Sequence, residues 1–204
     1  MKTLLRAAPF RREAIARFAT LALLTGALGV AGSGCQTLPE PPGLHVEELF
    51  HGSLETAQPI DVVVAPVIDE SASRGAPTKA LREAFQRNLL VRRYSPLALE
   101  YVDRKVVSAS YRPGTLSEDA VLQVTVRGWD LSRWQSDGEV TAEVEAWMLS
   151  AADGTELWGG RLQRTFDLAY EKENHPTNMV ANNKASEGIA SELLDVMPAR
   201  TPRP

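Results

Sequence analysis

Residues 139–168 read EVTAEVEAWMLSAADGTELWGGRLQRTFDL. In the first half, Val140, Ala142, Val144, Ala146 and Met148 alternate with Thr141, Glu143, Glu145 and Trp147. A period of two belongs to a strand with one buried face and one wet face. Ala152-Asp153-Gly154-Thr155 interrupts the pattern, and Gly154 can supply the positive φ that tight hairpin loops need. The second half returns with Trp158, Leu162 and Phe166 on one side. Two such strands joined by so short a turn predict an antiparallel hairpin.

Working outward, DAVLQVTVRGWD (119–130) alternates Leu122, Val124 and Val126 with Gln123, Thr125 and Arg127. It predicts a third half-buried strand. IDVVVAPV (60–67) is a short valine-rich run and reads as a buried strand. After a polar loop, Pro77 and Thr78 suit a first helical turn. Leu81, Ala84, Phe85 and Leu89 then fall on one helical face running to about Leu90. SPLALEYVD (95–103) is read as a second strand that Pro96 can open but not sit within. Met179, Ile189, Leu193 and Val196 keep helical spacing across 177–197, although NNKASEG makes the first turns weak. The order is β-α-β-β-β-β-α. These features predict an α/β (α+β) fold: a mixed, largely antiparallel sheet with helices packed on one face.

The N-terminal part is of another kind. Residues 1–17 hold Lys2, Arg6, Arg11, Arg12 and Arg17 against Glu13, and the apolar FATLALLTGALGVA (18–31) follows. That arrangement, ending in small residues, is a secretory signal. The apolar run is short of the 20 or so residues that span a bilayer. The only cysteine, Cys35, comes next, in GSGC. A lone cysteine has no internal disulfide partner. The stretch resembles the lipobox of bacterial lipoproteins, with Gly32 where that motif usually has Leu. The resemblance implies cleavage before Cys35 and acylation of its thiol. Gln36 in the next position, where Asp would mark inner-membrane retention, points to the outer membrane. Residues 1–34 are then a lipoprotein signal peptide. Residues 35–59, with Pro39, Pro41, Pro42 and Gly43, are a tether. LHVEELF (44–50) within it reads as a small amphipathic piece that either docks on the domain or forms one helical turn. Residues 60–197 form one α/β domain and 198–204 a flexible tail.

The 204-residue chain carries a net charge of −4. Losing residues 1–34 removes five cations and one carboxylate and leaves −8. An acidic mature chain gives no electrostatic support for nucleic-acid binding. The acyl chains, rather than basic residues, would hold it to the membrane.

The stretches VVVAPV, LSEDAVLQVTV and AADGTELWGG resemble a family of bacterial outer-membrane lipoproteins. Asp119, Ala120, Val121 and Leu122 match one of its motifs, and Asp153, Gly154, Leu157 and Trp158 another. The resemblance implies a fold related to the N-terminal domain of the Tol-system propeller protein. It extends to the curli export lipoprotein and to lipoprotein activators of cell-wall synthases. It implies a binding or assembly module and no enzyme.

The residues themselves offer little chemistry. His45, His51 and His175 lack metal-site spacing, and one cysteine makes no zinc cluster. No cofactor fingerprint is found. Asp69 and Glu70 follow the first strand, where α/β sheets bind ligands, and the other reading is that they are solvated loop acids. Trp129, Trp134 and Trp147 are candidates for a partner surface; the alternative is that a helix covers them as core. Trp158 reads as core. The expected function is a non-catalytic, membrane-anchored binding or assembly module of the bacterial envelope, with a protein partner and room for self-association. The alternative is a lipid- or small-molecule-handling accessory subunit of an envelope transporter. A third reading is an enzyme acting on cell wall through carboxylates.

Overall fold

The hairpin forms as expected, and the rest of the sheet is laid against it. The computed structural model describes residues 46–106 and 112–201. Along the chain these form β1 (Val46–His51), α1 (Leu54–Ala57), β2 (Asp61–Val64), β3 (Ile68–Asp69) and α2 (Thr78–Val91). Then follow β4 (Ser95–Pro96), α3 (Leu99–Val106), β5 (Ala120–Asp130) and α4 (Trp134–Asp137). The hairpin strands β6 (Glu139–Ser150) and β7 (Glu156–Asp167), with α5 (Ala169–Asn174) and α6 (Asn178–Val196), complete the fold. The seven-stranded sheet has the order β1-β7-β6-β5-β2-β4, and β3 also pairs with β5. It is antiparallel from β1 to β5 and parallel from β5 to β4.

Register places the alternating sets on opposite faces. Met148 faces Trp158, Ala146 faces Gly160 and Val144 faces Leu162 across the hairpin. With Leu122, Val124 and Val126 they form a core under α2 and α6. Leu81, Ala84, Phe85 and Leu89 of α2 and Ala185, Ile189, Leu193 and Leu194 of α6 close over it. Each large aliphatic chain so buried stabilises the fold by about 1.5–3 kcal/mol. The two helices run in the same direction: Arg87 pairs with Glu187 at 2.6 Å and Arg92 with Asp195 at 3.4 Å. Gly154 turns the hairpin at φ +75°. Among the described residues, no helix is long and apolar enough to cross a membrane.

Three segments differ from the sequence reading. Part of the expected tether is inside the fold. Val46–His51 pair antiparallel with β7 as its edge strand, and Leu54 of α1 is buried. A seven-residue amphipathic piece is too short to hold a helix alone. Beside an open strand edge, its backbone groups are satisfied by the ladder instead.

The second difference lies at 95–103. Only Ser95 and Pro96 pair, parallel to β2 at the sheet edge where proline is tolerated. From Leu99 the chain is helical, with Glu100 in the first turn and Arg104 and Lys105 in the last, matching the helix dipole. Its buried Val102 packs with Val63, Val121 and Ala151, on the face away from α2 and α6. α3 therefore covers one corner of the otherwise open face.

Third, the expected loose tail is tied down as far as Thr201. Tyr94 donates its hydroxyl to the Pro198 carbonyl at 2.8 Å. The Arg200 amide donates to the Arg92 carbonyl, and the Thr201 amide to Gln58 Oε1 at 2.9 Å. The early turns of the last helix are held by Thr177, whose Oγ1 accepts from the Val180 amide.

Candidate functional site

The helices fill one face of the sheet, and among the described residues nothing covers the other face beyond the α3 corner. Its floor is built by the outward positions of four strands. Gln123 and Thr125 come from β5, Thr141, Glu143, Glu145 and Trp147 from β6, Arg161, Gln163 and Thr165 from β7, and Glu47 and Phe50 from β1. Gln123 and Gln163 are exposed, and Trp147 is half-buried. Phe50 is 38% exposed.

Two rows organise this face. One is aromatic: Trp147 is directly opposite Gly159 on β7, and Phe50 is opposite the same glycine on β1. The absence of a Cβ at Gly159 lets the indole lie against the β7 backbone. The second row is charged. Arg127 donates from Nε and Nη2 to Glu145 at 3.1 and 2.9 Å, and from Nη1 to Glu70. The hydrogen bond to Glu145 is the main cause holding the Arg127 guanidinium above its ordinary pKa. Arg161 pairs with Glu143, and the Thr141 and Thr165 hydroxyls meet at 2.8 Å. Four carboxylates (Glu47, Glu70, Glu143, Glu145) stand against two guanidiniums, so the face is acidic.

The predicted site residues distribute unevenly. Of the three tryptophans proposed as surface, only Trp147 is on this face. Trp129 is 7% exposed and belongs to the core under the helices. The cause is a bulge: the β5–β6 register slips between Val126 and Gly128, which turns Trp129 inward opposite Ala142. Its Nε1 donates to Asn182 Oδ1 at 3.3 Å. Trp134 starts the single turn of α4 and is wholly buried at the end of the same core. Trp158 is core, as expected. Cys35 and His45 lie outside the described residues.

Asp69 and Glu70 are engaged in structure. Asp69 accepts from the Ser71 amide and hydroxyl at 3.0 and 2.5 Å and from the Ala76 amide at 2.9 Å. Desolvation would raise this carboxyl, but those hydrogen bonds, with Arg74 nearby, outweigh it and hold the pKa below its ordinary value. It staples the loop between β3 and α2. Glu70 belongs to the Arg127 row. His51 meets Glu48 at 2.8 Å, which raises its pKa, and His175 is exposed after α5. Among the described residues, no group of three His, Cys, Asp or Glu side chains could hold a metal.

The sequence reading did not single out Phe50, Glu47 or Arg161. The first two were hidden in the supposed tether. The alternation in β7 does carry Arg161, through its place opposite Glu145.

No family model matches the chain, and no curated protein does. Solved structures do. Two structures of the PelC dodecamer from Paraburkholderia phytofirmans, one of them a point variant, each superpose with a TM-score of 0.52. The variant is 15% identical and covers 78% of this chain and 100% of its own. The other is 14% identical and covers 76% and 99%. The lipoprotein GNA1162 from Neisseria meningitidis is 20% identical over 61% of this chain and 98% of its own, with a TM-score of 0.45. At these identities the likeness to PelC is one of fold.

Proposed function

We propose that this protein is a non-catalytic assembly module of the bacterial envelope, held at the outer membrane by acyl chains on Cys35, with its domain in the periplasm. The observation that carries the reading is the open sheet face. A sheet filled on one side by helices presents Trp147 and Phe50 on the other, beside an ordered charged row. Aromatic residues on an accessible, rigid surface are the usual anchors of protein interfaces. The signal-like segment ending at Cys35 supports membrane attachment. PelC, whose fold this chain resembles, is a dodecamer, which supports an assembly role.

Two measurements test this. A photocrosslinking amino acid at Gln163 of the full-length protein in cells is expected to capture a protein, and Trp147→Ala to abolish the capture. The absence of any crosslink from this face removes the interface reading. Labelled palmitate is expected on the wild-type chain and not on Cys35→Ser; equal membrane retention of both would remove the anchor.

A further inference from the structure

The helix layer carries a second exposed surface, which nothing among the described residues covers. Leu90 and Val91, the last two residues of α2, are 60% and 77% exposed. The end of α6 lies beside them, because Arg92 pairs with Asp195 and donates from Nη2 to the Met197 carbonyl. There Val196 is 42% exposed. Two adjacent large apolar residues left in water at a helix end forfeit burial and mark a contact surface. Arg93, the second residue after α2, is exposed at φ +69°. It has no ion-pair partner among the described residues, whereas Arg87 and Arg92 are both matched. This knob is apolar with an uncommitted cation.

The open sheet face has the opposite character: two aromatic side chains and an excess of carboxylates. Apolar matches aromatic, and cation matches acid. We infer that a second copy of this chain docks its α2-end knob (Leu90, Val91, Arg93, Val196) on the open face around Trp147 and Phe50. The inference rests on the open face being an interface, as proposed above, and names its occupant. The two patches lie on different layers of one molecule, so the contact is head-to-tail. Each copy then keeps one free knob and one free face, and the assembly grows until it closes in a ring or continues as a filament.

Engineered cysteines test this in the full-length, membrane-held protein. Val91→Cys combined with Gln163→Cys is expected to give a ladder of disulfide-linked multimers under non-reducing conditions. Either substitution alone is expected to add nothing to the wild-type pattern. Both positions are exposed, so neither change threatens folding. Val91→Glu is expected to weaken self-association on the order of tenfold, read by mass photometry of detergent-solubilised protein. A multimer linked through Val91→Cys alone means a two-fold contact and overturns the head-to-tail inference. So does a double variant that remains monomeric by both readouts. Capture of a different protein at Gln163, without the ladder, overturns the self-docking inference while sustaining the interface reading.

Discussion

Trp147 on β6 lies across Gly159 on β7: a Cβ placed on that glycine would stand 2.5 Å from the indole Cε3. The aromatic row of the open face therefore depends on a missing side chain one strand away. Gly159→Ala must push the ring off its seat, and overpacking of this kind costs about 1–3 kcal/mol. We expect that loss in urea unfolding. Made in a Trp147→Ala background, the same substitution should cost much less, and the difference is the coupling between the two positions. Equal costs in both backgrounds would contradict the placement of the ring.

Arg82 ties the α3 corner to the helix layer. Its Nε donates to the Val64 carbonyl at 2.9 Å, its Nη1 pairs with Asp103 of α3, and the residue is 7% exposed. Arg82→Met keeps most of the apolar stem but leaves the Val64 carbonyl without this donor. Such a loss costs about 1–3 kcal/mol. Hydrogen exchange should then accelerate in α3 more than in α6, because α3 buries only Val102. Uniform acceleration across both helices would mean that Arg82 supports the whole core and not this corner.

How far the sequence could be read follows from where local pattern and tertiary pairing agree. Alternation placed Val140 to Met148 and Trp158 to Phe166 on their faces, and helical spacing placed Leu81, Ala84, Phe85 and Leu89 under α2. Those periods are set by the backbone alone. Val46–His51 was not legible, because a lone edge strand is defined by the β7 edge it pairs with. Trp129 was turned inward by a bulge at Arg127–Gly128, which resets the alternation set by Leu122, Val124 and Val126; Gly128 within a strand was the available signal. Leu99–Val106 is short enough that its apolar residues fit either period, and only packing on Val63 and Val121 decides. Of the site, Trp147 was legible and its neighbour Phe50 was not, for the same reason as β1.

Asp69 gives the fold an acid-sensitive point. Its carboxyl has a pKa held below its ordinary value of 3.8, chiefly by the Ser71 and Ala76 hydrogen bonds working against desolvation. A carboxyl depressed in the folded state contributes stability that is present above its unfolded pKa and lost as pH falls through the folded one. Asp69→Asn should destabilise the protein at pH 7 by about 1–3 kcal/mol. The gap between variant and wild type should narrow as pH drops below about 4. A gap that stays constant down to the lowest pH at which the protein remains folded would show that the charge on Asp69 is not what closes the loop.

Tyr94 is the alkaline counterpart, and it reports on the tail. It is 4% exposed, and its hydroxyl donates to the Pro198 carbonyl at 2.8 Å. Desolvation pushes its pKa up to about 12 from 10.0, against the pull of Arg92 and Arg200. A group raised in the folded state contributes stability that is complete below its unfolded value, near pH 10, and lost as pH rises through about 12. Tyr94→Phe removes the hydroxyl and its hydrogen bond, at a cost of about 0.5–1.5 kcal/mol at neutral pH. The variant should lose less stability than wild type across the alkaline range, so their urea midpoints should converge as pH climbs. Parallel midpoints would mean that the phenol is open to water and that residues 198–201 are not pinned by it. Tyrosinate absorbance in the native protein gives an independent check: one of the four tyrosines should ionise well after the exposed ones.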